Sequence, residues 1–182
     1  KVSQRRGEIG YPYIFFNDKA NQGAPEVYKE KDLKILASNL CTEIMLPSNE
    51  NWSFVCVLSS LNVLHYDKLK DTDAVETMVH FLDAVITEFL DKLDVYRDSA
   101  DREDRQTFLF MERAYNFAKE NRALGLGVLG WHSLLQSKKL AFSSQGAYDL
   151  NTEICDNRTL KEYRLSGTLW YGIYVVKFHK CW

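Results

Sequence analysis

The chain has 182 residues, enough for one domain with a real core, and its 46% apolar and 26% charged residues place it among globular rather than disordered proteins. A formal net charge of −2 without a dense Lys/Arg stripe argues against a nucleic-acid binder. Four irregularly spaced cysteines (Cys41, Cys56, Cys155, Cys181) without a CxxC pair argue against a zinc site or a secreted disulfide scaffold, and no apolar run reaches transmembrane length, so the expectation is a cytoplasmic protein with reduced thiols, no metal ligands and no membrane contact.

In chain order, Pro12 to Phe16 is aromatic and apolar between Gly10 and Asn17-Asp18, which predicts a short buried strand. Asn21-Gln22-Gly23-Ala24-Pro25 is turn chemistry. Leu36 to Met45 follows, stopped by Pro47. As extended backbone it puts Asn39, Cys41 and Glu43 on one side and Leu40, Thr42 and Ile44 on the other, offering an amide, a thiol and a carboxylate to one small ligand. A helix would stack Asn39 on Glu43 and turn Cys41 away. After a turn at Ser48 to Asn51, Phe54 to Val63 is apolar on both alternating sets, the pattern of a parallel strand covered on both faces.

From Thr72 the period changes to three and four. Val75, Met78, Leu82, Val85, Phe89 and Leu93 predict a long amphipathic helix, with Thr72 or Asp73 as N-cap and Glu76 as capping-box partner. The mixed charges of Arg97 to Arg105 read as a solvated loop or helix start. Phe108, Met111, Tyr115 and Ala118 predict a second helix ending near Asn121, and a third runs through Gln136. Between them, Gly125, Gly127 and Gly130 match G-x-G-x-x-G literally. The run follows a helix and lacks an acidic residue on a second strand, so close packing of helix ends is expected there, not a dinucleotide site. His65, His80, His132 and His179 show no ligand spacing. Strands followed by long helices give an α/β class. A chain that starts at Lys1 and ends in the Tyr/Trp/Val-rich stretch Leu169 to Trp182 suggests a piece of a longer polypeptide.

Either cysteine alone is as readily a small buried hydrophobe. The carboxylate beside Cys41 raises a thiol's pKa, which suits a neutral thiol that gives up or takes a hydrogen atom better than a protease-type thiolate. The carboxylate would then accept a proton from a neighbouring hydroxyl. Cys56 suits a reducing thiol, which needs a second cysteine to close a disulfide.

Ser38-Asn39-Leu40-Cys41-Thr42-Glu43-Ile44-Met45-Leu46-Pro47 followed by Val55-Cys56-Val57-Leu58-Ser59-Ser60-Leu61-Asn62 closely resembles the large, catalytic subunit of class I ribonucleotide reductases. Gly10 to Phe16 and Arg122 to Gly130 are similar in kind and fall in the family's order, and the likeness runs from Gly7 to Ile154. The resemblance implies part of a ten-stranded α/β barrel with a central finger loop, incomplete in this chain: residues 1–154 as partial catalytic barrel and 155–182 as a non-matching tail of unknown role. It implies that Cys41 carries a thiyl radical, Asn39 hydrogen-bonds the sugar hydroxyls with Ser38 and Leu40 beside it, Glu43 takes the 3′-hydroxyl proton, and Cys56 is one of two reducing thiols. It also implies a ribonucleotide substrate, a radical supplied by a metal-containing small subunit, thioredoxin or glutaredoxin as reductant, and no cofactor bound by this chain. ATP/dATP effectors are expected only in the full-length subunit. The family's second reducing cysteine, regulatory region, phosphate-binding loop, paired tyrosines and C-terminal dithiol are not found here. The alternatives are an inactive remnant or split-subunit piece needing the remaining parts of the large subunit, and a two-thiol redox protein closing a Cys41–Cys56 disulfide without need of Glu43.

Overall fold

A computed structural model describes residues 1–156 and 173–175. Three short helices come first: α1 (Val2–Ile9), α2 (Asn17–Gln22) and α3 (Glu26–Glu30). A long irregular stretch leads to β1 (Val57–Asn62), a single 3-10 turn (Val63–His65) and α4 (Tyr66–Leu69). Then come the two long helices α5 (Ala74–Asp98) and α6 (Arg102–Asn121), the strand β2 (Leu124–Leu129), α7 (Trp131–Ser137), α8 (Gln145–Asp156) and β3 (Ile173–Val175).

The strands form one parallel sheet in the order β1-β2-β3, with Val57 opposite Leu124 and Asn62 opposite Leu129. Parallel neighbours cannot be joined by a tight turn, so the chain must cross over, and the α5–α6 pair provides the crossover. Both helices follow the apolar periodicity of their sequence. Val79, Leu82, Ile86 and Leu93 are buried on α5, and Phe108, Tyr115 and Ala118 on α6. Val85, expected on the buried stripe, is exposed instead, because the stripe that meets both the sheet and α6 runs through Val79 and Ile86. The expected capping box at α5 does not form: Ala74 N–H donates to Thr72 Oγ1, and Glu76 lies 3.7 Å from His80 Nε2. At α6, Asp101 accepts from Glu103 N–H at 2.6 Å, an ordinary side-chain cap.

The main core lies between sheet and crossover, where Val57, Leu61, Leu124 and Leu126 meet α5 and α6. A second cluster joins Val63 and Tyr66 to α7 and α8.

Three sequence expectations change here. Tyr11 to Phe16 is irregular and mostly exposed; β propensity expresses itself only when a partner strand is available, and the described sheet offers it none. The segment from Phe54 begins as a strand only at Val57 and is covered on its helix face alone, with Leu58 55% exposed on the other. The glycine run is a strand, not a helix junction. Gly125 pairs with Leu58 and Gly127 with Ser60, and a Cβ added at Gly125 would lie 2.5 Å from Leu58 Cδ2. Gly130 then ends β2 at φ 78°, a left-handed conformation that glycine adopts without a steric penalty.

Candidate active site

Residues 34–48 form a loop that leaves the α3 end, turns at Cys41 and returns to the core. Hydrogen bonds at its base, across it and at its tip fasten it to itself. Ser48 N–H donates to Lys34 O at its base (3.3 Å), Ser38 Oγ–H donates across it to Ile44 O (2.7 Å), and Thr42 N–H donates to Asn39 O at its tip (3.1 Å). Leu40 and Cys41 occupy the corner between Asn39 and Thr42. Thr42 has φ 65°, a costly conformation for a β-branched residue and one that accumulates at functional turns.

The corner corrects the extended reading of this segment. The Asn39 side chain competes with strand geometry by serving the backbone: its Oδ1 accepts from Glu43 N–H (3.2 Å) and Ile44 N–H (3.1 Å). Its Nδ2 donates to Glu43 Oε1 at 2.6 Å. The amide and the carboxylate therefore meet through a turn, not through alternation, and Cys41 projects at the bend between them. Leu40 is 80% exposed beside it. Ser38 braces the two limbs and also lines the cavity beside the turn.

The returning limb is set by packing. Ile44 and Leu46 are buried against Phe117 and Ala123, and Trp52 meets the Phe117 ring edge-on at 6.2 Å. Arg113 on α6 donates to Asn49 O at 2.6 Å and accepts at its carbonyl from Ser53 N–H, which fixes the approach to β1. Cys56 lies at the entry to that strand, with Glu43 close enough to act on it. Partial desolvation first, and the Glu43 carboxylate second, push the Cys56 thiol above its ordinary pKa, so it stays protonated at neutral pH. Cys41 and Cys56 are both free thiols in the structure.

Beside the turn is a cavity of about 490 Å³, whose walls include Tyr13, Phe15, Asn17, Leu36 and the run Ser38 to Leu40. Tyr13 stacks obliquely near Tyr11, with ring centroids 5.3 Å apart. The neighbouring Tyr11, by charge and hydrogen bonding, raises the Tyr13 hydroxyl's pKa, with smaller contributions from desolvation and from Cys41. Tyr13 had been expected in a buried strand; nothing in its sequence context marks it as a wall of this cavity. Among the described residues no group of three His, Cys, Asp or Glu side chains is placed to hold a metal, and no helix is long and apolar enough to cross a membrane. Cys181 and His179 lie outside the described residues.

A turn that ties an amide to a carboxylate around an exposed thiol, with a protonated thiol on the adjoining parallel strand, defines a thiol-based site on an α/β scaffold. Comparison with known proteins places it more closely. The family model for the ribonucleotide reductase barrel domain matches residues 1–169, and the chain belongs to that family. The Frog virus 3 (isolate Goorha) relative is 37% identical over 150 residues, which are 82% of this chain and 25% of that protein. The ribonucleoside-diphosphate reductase large subunit of Invertebrate iridescent virus 3 is 36% identical over 155 residues, 85% of this chain and 22% of its own. Among solved structures, the Actinobacillus ureae class Id ribonucleotide reductase alpha subunit superposes with a TM-score of 0.70 at 48% identity, covering 88% of this chain and 28% of that one. The fold is accordingly part of an α/β barrel, and the chain spans about a quarter of the length of the curated relatives it matches.

Proposed function

We propose that this chain supplies the thiol-bearing part of the catalytic barrel of a ribonucleoside-diphosphate reductase large subunit, which turns ribonucleotides into deoxyribonucleotides in the cytoplasm. The observation that carries the reading is the 2.6 Å bond between Asn39 Nδ2 and Glu43 Oε1, which fixes an acceptor carboxylate on the same loop tip that carries Cys41.

In this reading the Cys41 sulfur, as a thiyl radical, takes the hydrogen atom from C3′ of the sugar, so an S–H bond forms and a C–H bond breaks. The Glu43 carboxylate accepts the 3′-hydroxyl proton, and the 2′-hydroxyl departs as water after taking a proton from a thiol. Cys56 suits that donor because its raised pKa keeps the proton on sulfur. Two thiols, Cys56 and a second one, then give up two electrons and close a disulfide while the 2′ carbon is reduced, and Glu43 returns its proton to the 3′ oxygen. Cys41 returns its hydrogen to C3′, which regenerates the radical. Asn39 has a structural share in this, since its amide orients Glu43 while a ribose hydroxyl approaches the same group. Binding energy from the base and phosphates holds the sugar against Cys41. Ser38 acts by bracing the loop and Leu40 by covering the sugar. The radical arrives from a metal-containing small subunit, thioredoxin or glutaredoxin reopens the disulfide, and ATP or dATP acts elsewhere in the full subunit.

The test uses the full-length subunit with its small subunit. Cys41→Ser is expected to abolish deoxynucleotide formation while nucleotide affinity stays the same, and Glu43→Gln to lower kcat by roughly 10²- to 10⁴-fold, the usual range for a lost acid–base group. Multiple turnovers by the Cys41→Ser enzyme would overturn the reading.

A further inference from the structure

Besides the packing of Ile44 and Leu46, the loop that carries Cys41 has a hydrogen-bond tie on each limb to the helical pair ahead of it. On the outgoing limb, Asn21 of α2 clamps Ile35. Asn21 Nδ2 donates to Ile35 O (2.8 Å), and Ile35 N–H donates to Asn21 Oδ1 (2.9 Å). A side-chain amide thus occupies both backbone groups of one residue, as a neighbouring strand would. The remaining Nδ2 hydrogen goes to Asn17 O at 2.8 Å, one turn earlier on α2, so the amide plane is held from behind. Ile35 itself is 1% exposed. On the returning limb, the Tyr28 hydroxyl of α3 donates to Met45 O at 3.4 Å. Between these anchors the loop is bonded to itself at Ser38–Ile44 and Asn39–Glu43, so it moves as a unit about whatever holds its ends.

We infer that Asn21 is a positioning residue for the Cys41 chemistry: its two-point bond to Ile35 sets how far the Cys41 turn reaches toward the sugar. The inference rests on the assignment of hydrogen-atom transfer to Cys41. Atom transfer requires near contact between sulfur and the C3′ hydrogen, and a displacement of about 1 Å is enough to cost on the order of 10²-fold in rate. Asn21 does not itself line the cavity, though its amide bonds the backbone of Asn17, which does, so its removal loosens the approach without removing a side chain from the cavity wall.

The experiment compares full-length Asn21→Asp, Asn21→Ala and Gln22→Ala enzymes with the parent, each with the small subunit. Gln22 lies on the same helix, and its exposed side chain bonds only Lys19 among the described residues, so its variant controls for damage to α2. Asn21→Asp keeps the side-chain shape and the acceptor for Ile35 N–H but loses the donor to Ile35 O. The expected result is a fall in kcat of at least about tenfold for Asn21→Asp and more for Asn21→Ala, with substrate dissociation constants unchanged. The 3′-deuterium isotope effect on turnover should grow, because hydrogen abstraction becomes slower relative to the other steps. Gln22→Ala should match the parent. Parental kcat in a folded Asn21→Asp enzyme, or a kcat loss that tracks the folded fraction with the isotope effect unchanged, overturns the inference. If Asn21→Ala does not fold, Asn21→Asp decides. Inactive Cys41→Ser alongside fully active Asn21 variants removes this inference and leaves the chemistry of Cys41 in place, whereas an active Cys41→Ser enzyme removes both.

Discussion

At the scale of single residues, the site depends on what Asn39 does with its four hydrogen-bonding positions. Two backbone N–H groups, of Glu43 and Ile44, find their acceptor in its carbonyl oxygen, and its amide nitrogen holds the Glu43 carboxylate. The types and order of Asn39, Cys41 and Glu43 were legible in the sequence. Their geometry was not. Period-two alternation says which side chains share a face only if the backbone stays extended, and the left-handed Thr42 shows that it does not. Asn21 and Tyr28 left no signal at all, because an amide in a turn-rich segment and a tyrosine on a one-turn helix are unremarkable until their partners at Ile35 and Met45 are known.

Cys56 carries a pH prediction of its own. Desolvation and the Glu43 charge both favour the protonated thiol, so its alkylation rate should rise with pH later than that of an ordinary cysteine. In the Glu43→Gln protein the like-charge contribution is removed while desolvation remains, so the curve should move part of the way back toward lower pH. Measurement of Cys56 labelling against pH in a Cys41→Ser background checks this, and a curve that does not respond to Glu43→Gln would show that the carboxylate does not act on Cys56.

At the scale of elements, α5 and α6 were readable almost to their ends because each must bury one stripe against a sheet, and periodicity records that requirement. The strand β2 was not readable, since glycine has low strand propensity and a G-x-G run looks like a phosphate loop or a junction. Its place is decided by the register with β1, a tertiary fact. Arg122, which ends α6 in a left-handed conformation, then fastens the crossover. Its Nε and Nη2 donate to Asp83 Oδ1, and Nη2 also reaches Asp83 O and Thr87 Oγ1 on α5. The guanidinium is largely covered, so Arg122→Met should cost about 2 kcal/mol, the scale of a lost charge-assisted hydrogen bond. Arg122→Lys should recover little of it, because an ammonium cannot reproduce the forked contact. Urea unfolding of the two variants measures both losses.

At the scale of the molecule, one face of the sheet meets helices while Leu58 on the other is exposed among the described residues, and Leu40 and Tyr13 beside the Cys41 turn are exposed as well. Radical chemistry needs enclosure, since a thiyl radical in water or oxygen is lost. These two relatives are between three and four times as long, and in a full-length subunit further polypeptide is expected to close over this face. Cys41, exposed in the 182-residue chain, should therefore be alkylated markedly faster there than in the full-length subunit with nucleotide bound. Equal rates in both would mean that the turn stays open to solvent during the reaction.

The bare positions in β2 bear on what that open face can accommodate. With only hydrogen at 125 and 127, Leu58 reclines across its neighbour instead of standing upright, and Ser60 lies low beside it. The sheet thereby keeps headroom above its strands. A methyl at 125 would prop Leu58 up like a tent pole, and the free height above the strands would shrink.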